Sequence, residues 1–290
     1  MPQLNPNAHQ VLAKAKHQGY AIGAFNAANL ETLKAIVNAA NQLRSPVIIE
    51  SSPNETEYIG IDNMVDLVEN YRERYKLPIL LNLDHGQTEE QVIDAINAGY
   101  DLIHFDGSLL DYQENVEKTS QIAKQAHSRN LLVEAEINHI TGSSNFHETK
   151  VEEAQQSGQY TDPDQAADFV NRTNVDTLTV FIGNVHGVFQ NSPLLDIERL
   201  KGINRKVDCW LSLHGGSGIA DEQIKAAIQS GIVKININTD LRLAFKQALL
   251  KSLQQSDEAA IYKLTPPAIE AMQKVVEAKI QLFGSVGKAD

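Results

Sequence analysis

The chain has 290 residues, 42% hydrophobic and 21% charged, the make-up of a soluble globular protein with a sizeable core. Lys plus Arg is 25 and Asp plus Glu is 37, and the net charge of −12 argues against general nucleic-acid binding, where affinity comes from neutralising phosphates. One cysteine, Cys209, leaves no internal disulfide and fits a reducing cytoplasm.

No apolar run reaches the roughly 18 to 20 residues of a membrane span. Met1-Pro2-Gln3-Leu4-Asn5-Pro6 lacks the basic and then apolar pattern of a signal peptide. Residues 21–25 read as a short buried strand, followed by helical periodicity over 31–43 with Leu33, Ile36, Val37 and Ala40 on one face. Residues 46–50 form a second strand, and Met64, Leu67, Val68 and Tyr71 mark the next helix. A third strand over 78–83 precedes a helix through Val92, Ile93 and Ile96 that stops at Gly99. Strands four and five, 102–105 and 131–137, flank a helix from about 113 to 127. The polar stretch from 138 to about 161 reads as the longest irregular segment, an active-site loop. A helix at 165–171 leads into a sixth strand at 178–182, and a short helical piece at 197–200 precedes a seventh at 210–213. Ile224, Ala227 and Ile228 make a helix ending at Gly231, before an eighth strand at 233–237. Helical sequence follows over 241–253 and 267–282.

These strands are apolar throughout rather than alternating, the pattern of a parallel sheet buried on both faces. Eight of them interleaved with helices predict an α/β fold, a (β/α)8 TIM barrel with an extra C-terminal helix, as one domain over residues 1–290. A doubly wound open sheet is the runner-up. The chemistry-bearing residues favour the barrel, because they follow strands three, six, seven and eight, whose ends share one mouth in a barrel.

Three of those strands end alike. Leu81-Asn82-Leu83-Asp84-His85-Gly86, Val185-His186-Gly187 and Leu213-His214-Gly215-Gly216 each close on histidine followed by glycine. Three imidazoles at one barrel mouth suit zinc and leave a position open for substrate. Glycine beside each lets backbone approach closely, and Asp84 stands where it can move a proton. Gly215-Gly216-Ser217-Gly218 opens onto a helix, and Asn236-Ile237-Asn238-Thr239-Asp240 runs from strand eight into another. Loops after strands seven and eight are the usual phosphate site of a barrel. Cys209, in Val207-Asp208-Cys209-Trp210, reads as a buried strand-edge thiol rather than a nucleophile.

With Ala24-Phe25-Asn26, Asn29-Leu30-Glu31, Phe105-Asp106-Gly107-Ser108, Val133-Glu134-Ala135-Glu136 and the run from Lys234 to Leu241, these motifs span nearly the whole chain. In this order they resemble the class II, metal-dependent fructose-bisphosphate and tagatose-bisphosphate aldolases. The resemblance implies that His85, His186 and His214 hold Zn2+, which stabilises the enediolate of dihydroxyacetone phosphate. It implies that Asp84 exchanges a proton with the substrate C4 hydroxyl. Asn26, Ser51, Gly187, Gly215, Ser217, Asn236, Asn238 and Thr239 become substrate contacts, with a monovalent cation (Na+ or K+) beside the phosphate. Asp106 and Glu136 match acids that orient histidines or contact a second metal. The implied partners are a sugar phosphate of carbohydrate metabolism, as in glycolysis, and further copies of the chain in a homodimer or homotetramer.

Two stretches depart from the family. Where the loop after strand five usually carries paired acids, this chain has Ser143-Ser144, with His139, His147 and Glu148 nearby. The usual Asp-Pro-Arg run, whose arginine grips the distal phosphate, is replaced by Ala260-Ile261-Tyr262, and the lysine after the second zinc histidine by Gln190. The ketone half-site is kept and the aldehyde half-site altered. The expected activity is therefore aldol cleavage of a ketose 1-phosphate or bisphosphate, either with an aldehyde that differs from glyceraldehyde 3-phosphate or, on the simpler reading, as an ordinary ketose-bisphosphate aldolase whose substitutions are covered elsewhere. A zinc- and sugar-phosphate-binding protein with little catalysis is the alternative, against which Asp84 argues.

Overall fold

The structure, a computed structural model, describes residues 7–290, so the amino-terminal segment read above for targeting lies outside it. Eight parallel strands close into a barrel: β1 (Ile22–Asn26), β2 (Val47–Ser51), β3 (Ile79–Gly86), β4 (Leu102–Phe105), β5 (Leu132–Glu136), β7 (Thr177–Thr179), β9 (Trp210–Leu213) and β10 (Ile232–Ile237). Around the ring the order is β1-β10-β9-β7-β5-β4-β3-β2, so the first and last strands pair, with Phe25 beside Ile237. That closure excludes the open sheet. The remaining pair, β6 (Gly142–Phe146) and β8 (His186–Val188), forms a separate parallel ribbon.

The helices alternate with these strands: α1 (Ala8–Gln18), α2 (Leu30–Leu43), α3 (Pro53–Ile59), α4 (Ile61–Tyr75), α5 (Glu89–Ala98), α6 (Tyr112–His127), α7 (Val151–Ser157) and α8 (Pro163–Thr173). After them come α9 (Ile197–Lys206), α10 (Asp221–Gln229), α11 (Thr239–Gln255), α12 (Ile261–Leu264) and α13 (Pro266–Phe283), the extra C-terminal helix. Their ends follow local chemistry. The Thr88 side chain caps α5 in a box with Gln91, and Gly99 closes the helix at φ 101°. Helix α2 buries Leu33, Ile36 and Val37 against the strands, each contributing about 1.5–3 kcal/mol. An acid at Ile36 would break that packing.

Inside the barrel the lower layer is apolar. Ile22, Ala24, Ile48, Leu80, Leu102 and Leu132 meet Leu12 and Ala15 of α1, which plugs the floor. The upper layers are polar, because the lumen-facing residues of the strand ends are Glu50, Asn82, Glu134, Lys234 and the site residues. The floor is a stopper and the rim carries chemistry.

The segment from 138 to 161, expected to be irregular, carries both β6 and α7. Strand β6 is largely exposed and reads Gly-Ser-Ser-Asn-Phe, so it has no apolar alternation to reveal it. Pairing with β8 creates it, with Gly142 beside His186. Barrel strand β7 is shorter than the expected 178–182.

Candidate active site

Strand β3 ends in Asp84 and His85, and His85 sits in the left-handed region at φ 54°. A residue other than glycine pays roughly 1–2 kcal/mol for that conformation. Its backbone N–H finds a partner in His104 Nδ1 at 3.1 Å, which anchors the turn. His104, fully buried on β4, is a fourth histidine of the site. It was read only as a strand residue; nothing in Leu102-Ile103-His104-Phe105 tells which face carries the imidazole.

Each of the three strand-end histidines has one ring nitrogen already engaged. Nδ1 of His85 faces Asp106 Oδ2 at 2.9 Å, Nε2 of His214 faces Glu134 Oε1 at 3.0 Å, and Nδ1 of His186 faces the Ile140 carbonyl at 3.2 Å. The opposite nitrogens point inward, with His85 Nε2 and His214 Nδ1 3.0 Å apart. With their outer nitrogens donating to carboxylates, these two can only share a proton or a cation. Burial disfavours charge on His85, yet Asp84, Asp106 and Glu136 outweigh it and raise its imidazole to about 10. Burial takes His214 down to about 3 despite Glu134, and burial with the His85 charge takes His186 to about 4. One positive charge among deprotonated nitrogens is what a divalent ion would replace, so the donor set fits a metal.

Donor atoms of Asp84, His85, His104 and His214 lie within 4.8 Å of one another, as do those of His85, Asp106 and Glu136. His186 stands slightly outside, its ring centroid 5.2 Å from His85 and 6.2 Å from His214. Asp106 orients His85 and is locked by Ser108, whose N–H and hydroxyl donate to its Oδ1 at 3.1 and 2.6 Å. Glu136 is fully buried with neither carboxyl oxygen paired, 3.9 Å from His104 Nε2. Burial and the nearby Asp106 push its pKa well above the usual range.

Asp84 is clamped from two sides. Asn26 Nδ2 donates to its Oδ2 at 3.0 Å and Asn236 Nδ2 to its Oδ1 at 3.3 Å. Burial would raise its pKa, but His85, His104, His214 and Lys234 overcome that and hold it well below the usual range. Beneath it, the buried Lys234 ammonium meets Asn236 Oδ1 at 2.7 Å, Glu50 Oε1 at 2.7 Å and Glu134 Oε2 at 2.9 Å. One cation thus fixes the amide that faces Asp84 and the carboxylate that faces His214.

Asn26, Asp84, His85, His186, Gly187, His214, Gly215, Ser217, Asn236, Asn238 and Thr239 line a single pocket. Ser51 does not: its hydroxyl turns to Tyr100 at 2.8 Å, and Ser52 takes the pocket wall. Neighbouring residues leaving a strand point apart, so a shift of one position changes the face. Gly215, at φ 63°, would place a Cβ 2.2 Å from the Val185 carbonyl. The close approach is therefore between the loops that carry the histidines. Ser143 and Ser144 also reach the pocket, while His139 turns to Ser108 at 3.4 Å and His147 to the Ser143 carbonyl at 2.9 Å.

Sequence reasoning also passed over Arg242. Among the described residues it is the one lysine or arginine on the pocket wall. It stands in the first turn of α11, where Asn238 accepts from its Nε at 2.7 Å and Glu55 from its NH2 at 3.0 Å. The 260–262 stretch, where the arginine was sought, lies away from the pocket, with Ile261 and Tyr262 exposed.

A family model described as fructose-bisphosphate aldolase class-II matches residues 6–288. The sulfofructosephosphate aldolase of Alkalicoccus urumqiensis is 35% identical over 280 residues, 96% of each chain. The crystal structure of the YdjI aldolase from Escherichia coli K12 superposes with a TM-score of 0.81 at 32% identity, covering 98% of both chains. The fructose-bisphosphate aldolase of Campylobacter jejuni, 22% identical, shares the fold with a TM-score of 0.81 over 97% of this chain and 95% of its own.

Proposed function

The chain belongs to the class II fructose-bisphosphate aldolase family and is an aldolase, a carbon–carbon lyase; from that premise we propose that it cleaves a ketose 1-phosphate to dihydroxyacetone phosphate and an aldehyde other than glyceraldehyde 3-phosphate. The observation that carries this reading is the inward pair His85 Nε2 and His214 Nδ1, 3.0 Å apart and with both outer nitrogens engaged, beside a clamped Asp84.

His85, His186 and His214 would hold the metal, and three imidazoles suit zinc. When bound, such an ion supplies Lewis-acid polarisation of the ketone, so no lysine Schiff base is needed. Asp84 accepts the proton of the C4 hydroxyl as the C3–C4 bond breaks and returns it in the condensation direction. The two amides that grip Asp84 keep it a carboxylate aimed at the pocket. Gly215, Ser217 and the N-terminus of α11 receive the C1 phosphate through backbone N–H groups and a hydroxyl. The change of aldehyde is supported by Ser143 and Ser144, which stand at the pocket where the family carries acids. The name of the Alkalicoccus urumqiensis relative joins a sulfo group to a fructose phosphate, which supports a distal group other than phosphate. The same reading includes a homodimer or homotetramer in the cytoplasm, and among the described residues no helix is long and apolar enough to cross a membrane.

The test is aldol cleavage of ketose 1-phosphates with and without a chelator. Chelator-sensitive cleavage that Asp84→Ala removes without loss of zinc is the expected result. Zinc binding with no cleavage of any ketose phosphate would leave the non-catalytic binder as the better account.

A further inference from the structure

The pocket has two flanks. Gly215 and Ser217 follow β9, with His186 and Gly187 beyond them, while Asn26 ends β1 and Ser52 follows β2 on the other side of β10. Asp84 lies between, and from it a chain of contacts runs outward along the second flank. Asn26 Nδ2 donates both to Asp84 and, at 2.9 Å, to Glu55 Oε2. The same carboxylate oxygen accepts from the Ser52 N–H and hydroxyl at 2.9 Å each, closing the capping box of α3. Its other oxygen takes the Arg242 NH2 at 3.0 Å. A ketose with its C1 phosphate at Gly215, Ser217 and the first N–H groups of α11 and its C4 hydroxyl at Asp84 would direct its far end along the second flank, where the Arg242 side chain crosses from α11 to Glu55.

We propose that Glu55 and Arg242 together select the charge of that far end: a ketose 1-phosphate carrying a singly charged oxyanion at C6, such as a sulfonate, is accepted, and a dianionic phosphate is disfavoured. This rests on the aldol reading of the same pocket. Arg242 is half exposed and points one face into the pocket, where its NH1 donates to nothing among the described residues. Its charge is already balanced by a nearly buried carboxylate fixed by Ser52 and Asn26, which cannot swing away without losing those bonds. Among the described residues no second lysine or arginine on the wall adds to the field. Any anion there meets both the guanidinium and the Glu55 carboxylate, a pair close to neutral in sum, so a monoanion is held by the spare donors, while a dianion gains little from its second charge and carries a larger repulsion and desolvation cost with no added cation to offset them. Selectivity built from a fixed like charge is discrimination by repulsion.

The experiment compares kcat/KM for three probes on the metal-loaded enzyme: fructose 1,6-bisphosphate, its analogue with a C6 sulfonate in place of the phosphate, and fructose 1-phosphate. The wild type is expected to prefer the sulfonate to the bisphosphate by about tenfold or more, and Glu55→Gln to shift that ratio toward the bisphosphate by about tenfold, the scale of one removed repulsion. Glutamine keeps one oxygen for the Ser52 and Asn26 donors and turns an uncharged amide toward Arg242, and the wild-type preference decides the matter whether or not the variant folds. A wild-type preference for the bisphosphate, or an unchanged ratio in folded Glu55→Gln, overturns the charge assignment alone. Failure to cleave any of the three overturns the aldol reading beneath it.

Discussion

His85 Nε2 and His214 Nδ1 face each other at 3.0 Å although 129 residues separate them in the chain. Asp106 and Glu134 hold the far side of each ring, so the pair is pre-set to receive a cation rather than merely near one. Removing the metal should therefore abolish cleavage and returning zinc should restore it. Glu134→Gln, which touches no metal, should weaken zinc by about 10–100-fold, measured by competition with a chromophoric chelator. An unchanged zinc affinity would separate Glu134 from the metal.

On the proposed reading Asp84 moves the C4 proton, and Asn26 and Asn236 donate to its two oxygens. Asp84→Asn should lower kcat by about 10²–10⁴-fold, the usual contribution of general acid–base catalysis, while zinc content stays at the wild-type level. A variant that loses zinc in parallel would make Asp84 a ligand instead.

Lys234 is fully buried between Glu50 and Glu134. Lys234→Met leaves the buried Glu134 carboxylate without its cation and should destabilise the protein by about 3–5 kcal/mol. Urea unfolding checks this. A loss under about 1 kcal/mol would show that the lumen readmits water or protonates at no cost.

Glu50 gives a pH signature. Burial, then Asp84, raise its carboxyl to about 8 from 4.5 against the pull of Lys234. Between those values the folded protein keeps a proton that the unfolded chain has released. Its contribution to stability is thus full below 4.5 and is lost as pH rises through 8. The wild type should lose up to about 1.4 kcal/mol per pH unit relative to Glu50→Gln across that window. Parallel melting curves for the two proteins from pH 5 to pH 8 would sink the assignment.

Cys209, expected as a buried strand-edge thiol, is half-buried immediately before β9, and desolvation still pushes it up to about 12. At pH 8 only about one molecule in 10⁴ carries the thiolate, so aromatic disulfides should modify the folded protein far more slowly than the urea-unfolded chain. Equal rates would mean that the site opens freely.

The barrel and much of its mouth are legible in one dimension. Strands such as Val47–Ser51 and Ile232–Ile237 are buried along their whole length, and only a sheet covered on both faces keeps such runs dry. His85 and His214 are legible because each closes an apolar run, where a parallel barrel gathers its strand ends, and His186, which opens the ribbon strand β8 beyond β7, follows the same His-Gly pattern. Tertiary structure decided the rest. Which nitrogen of each imidazole remains free depends on Asp106, Glu134 and the Ile140 carbonyl, partners supplied by other strands and loops. That Ser52 rather than Ser51 faces the pocket is a matter of one residue in a strand exit, beneath what periodicity resolves. The exposed ribbon of β6 exists only through its pairing with β8. Nothing in Thr239-Asp240-Leu241-Arg242 tells which way the arginine turns, and only its ion pair with Glu55 of α3 brings the guanidinium to the wall. Burial patterns are local and survive in one dimension; hydrogen-bond partners and the charge at a pocket's far end arise from residues that meet only when the ring of strands closes.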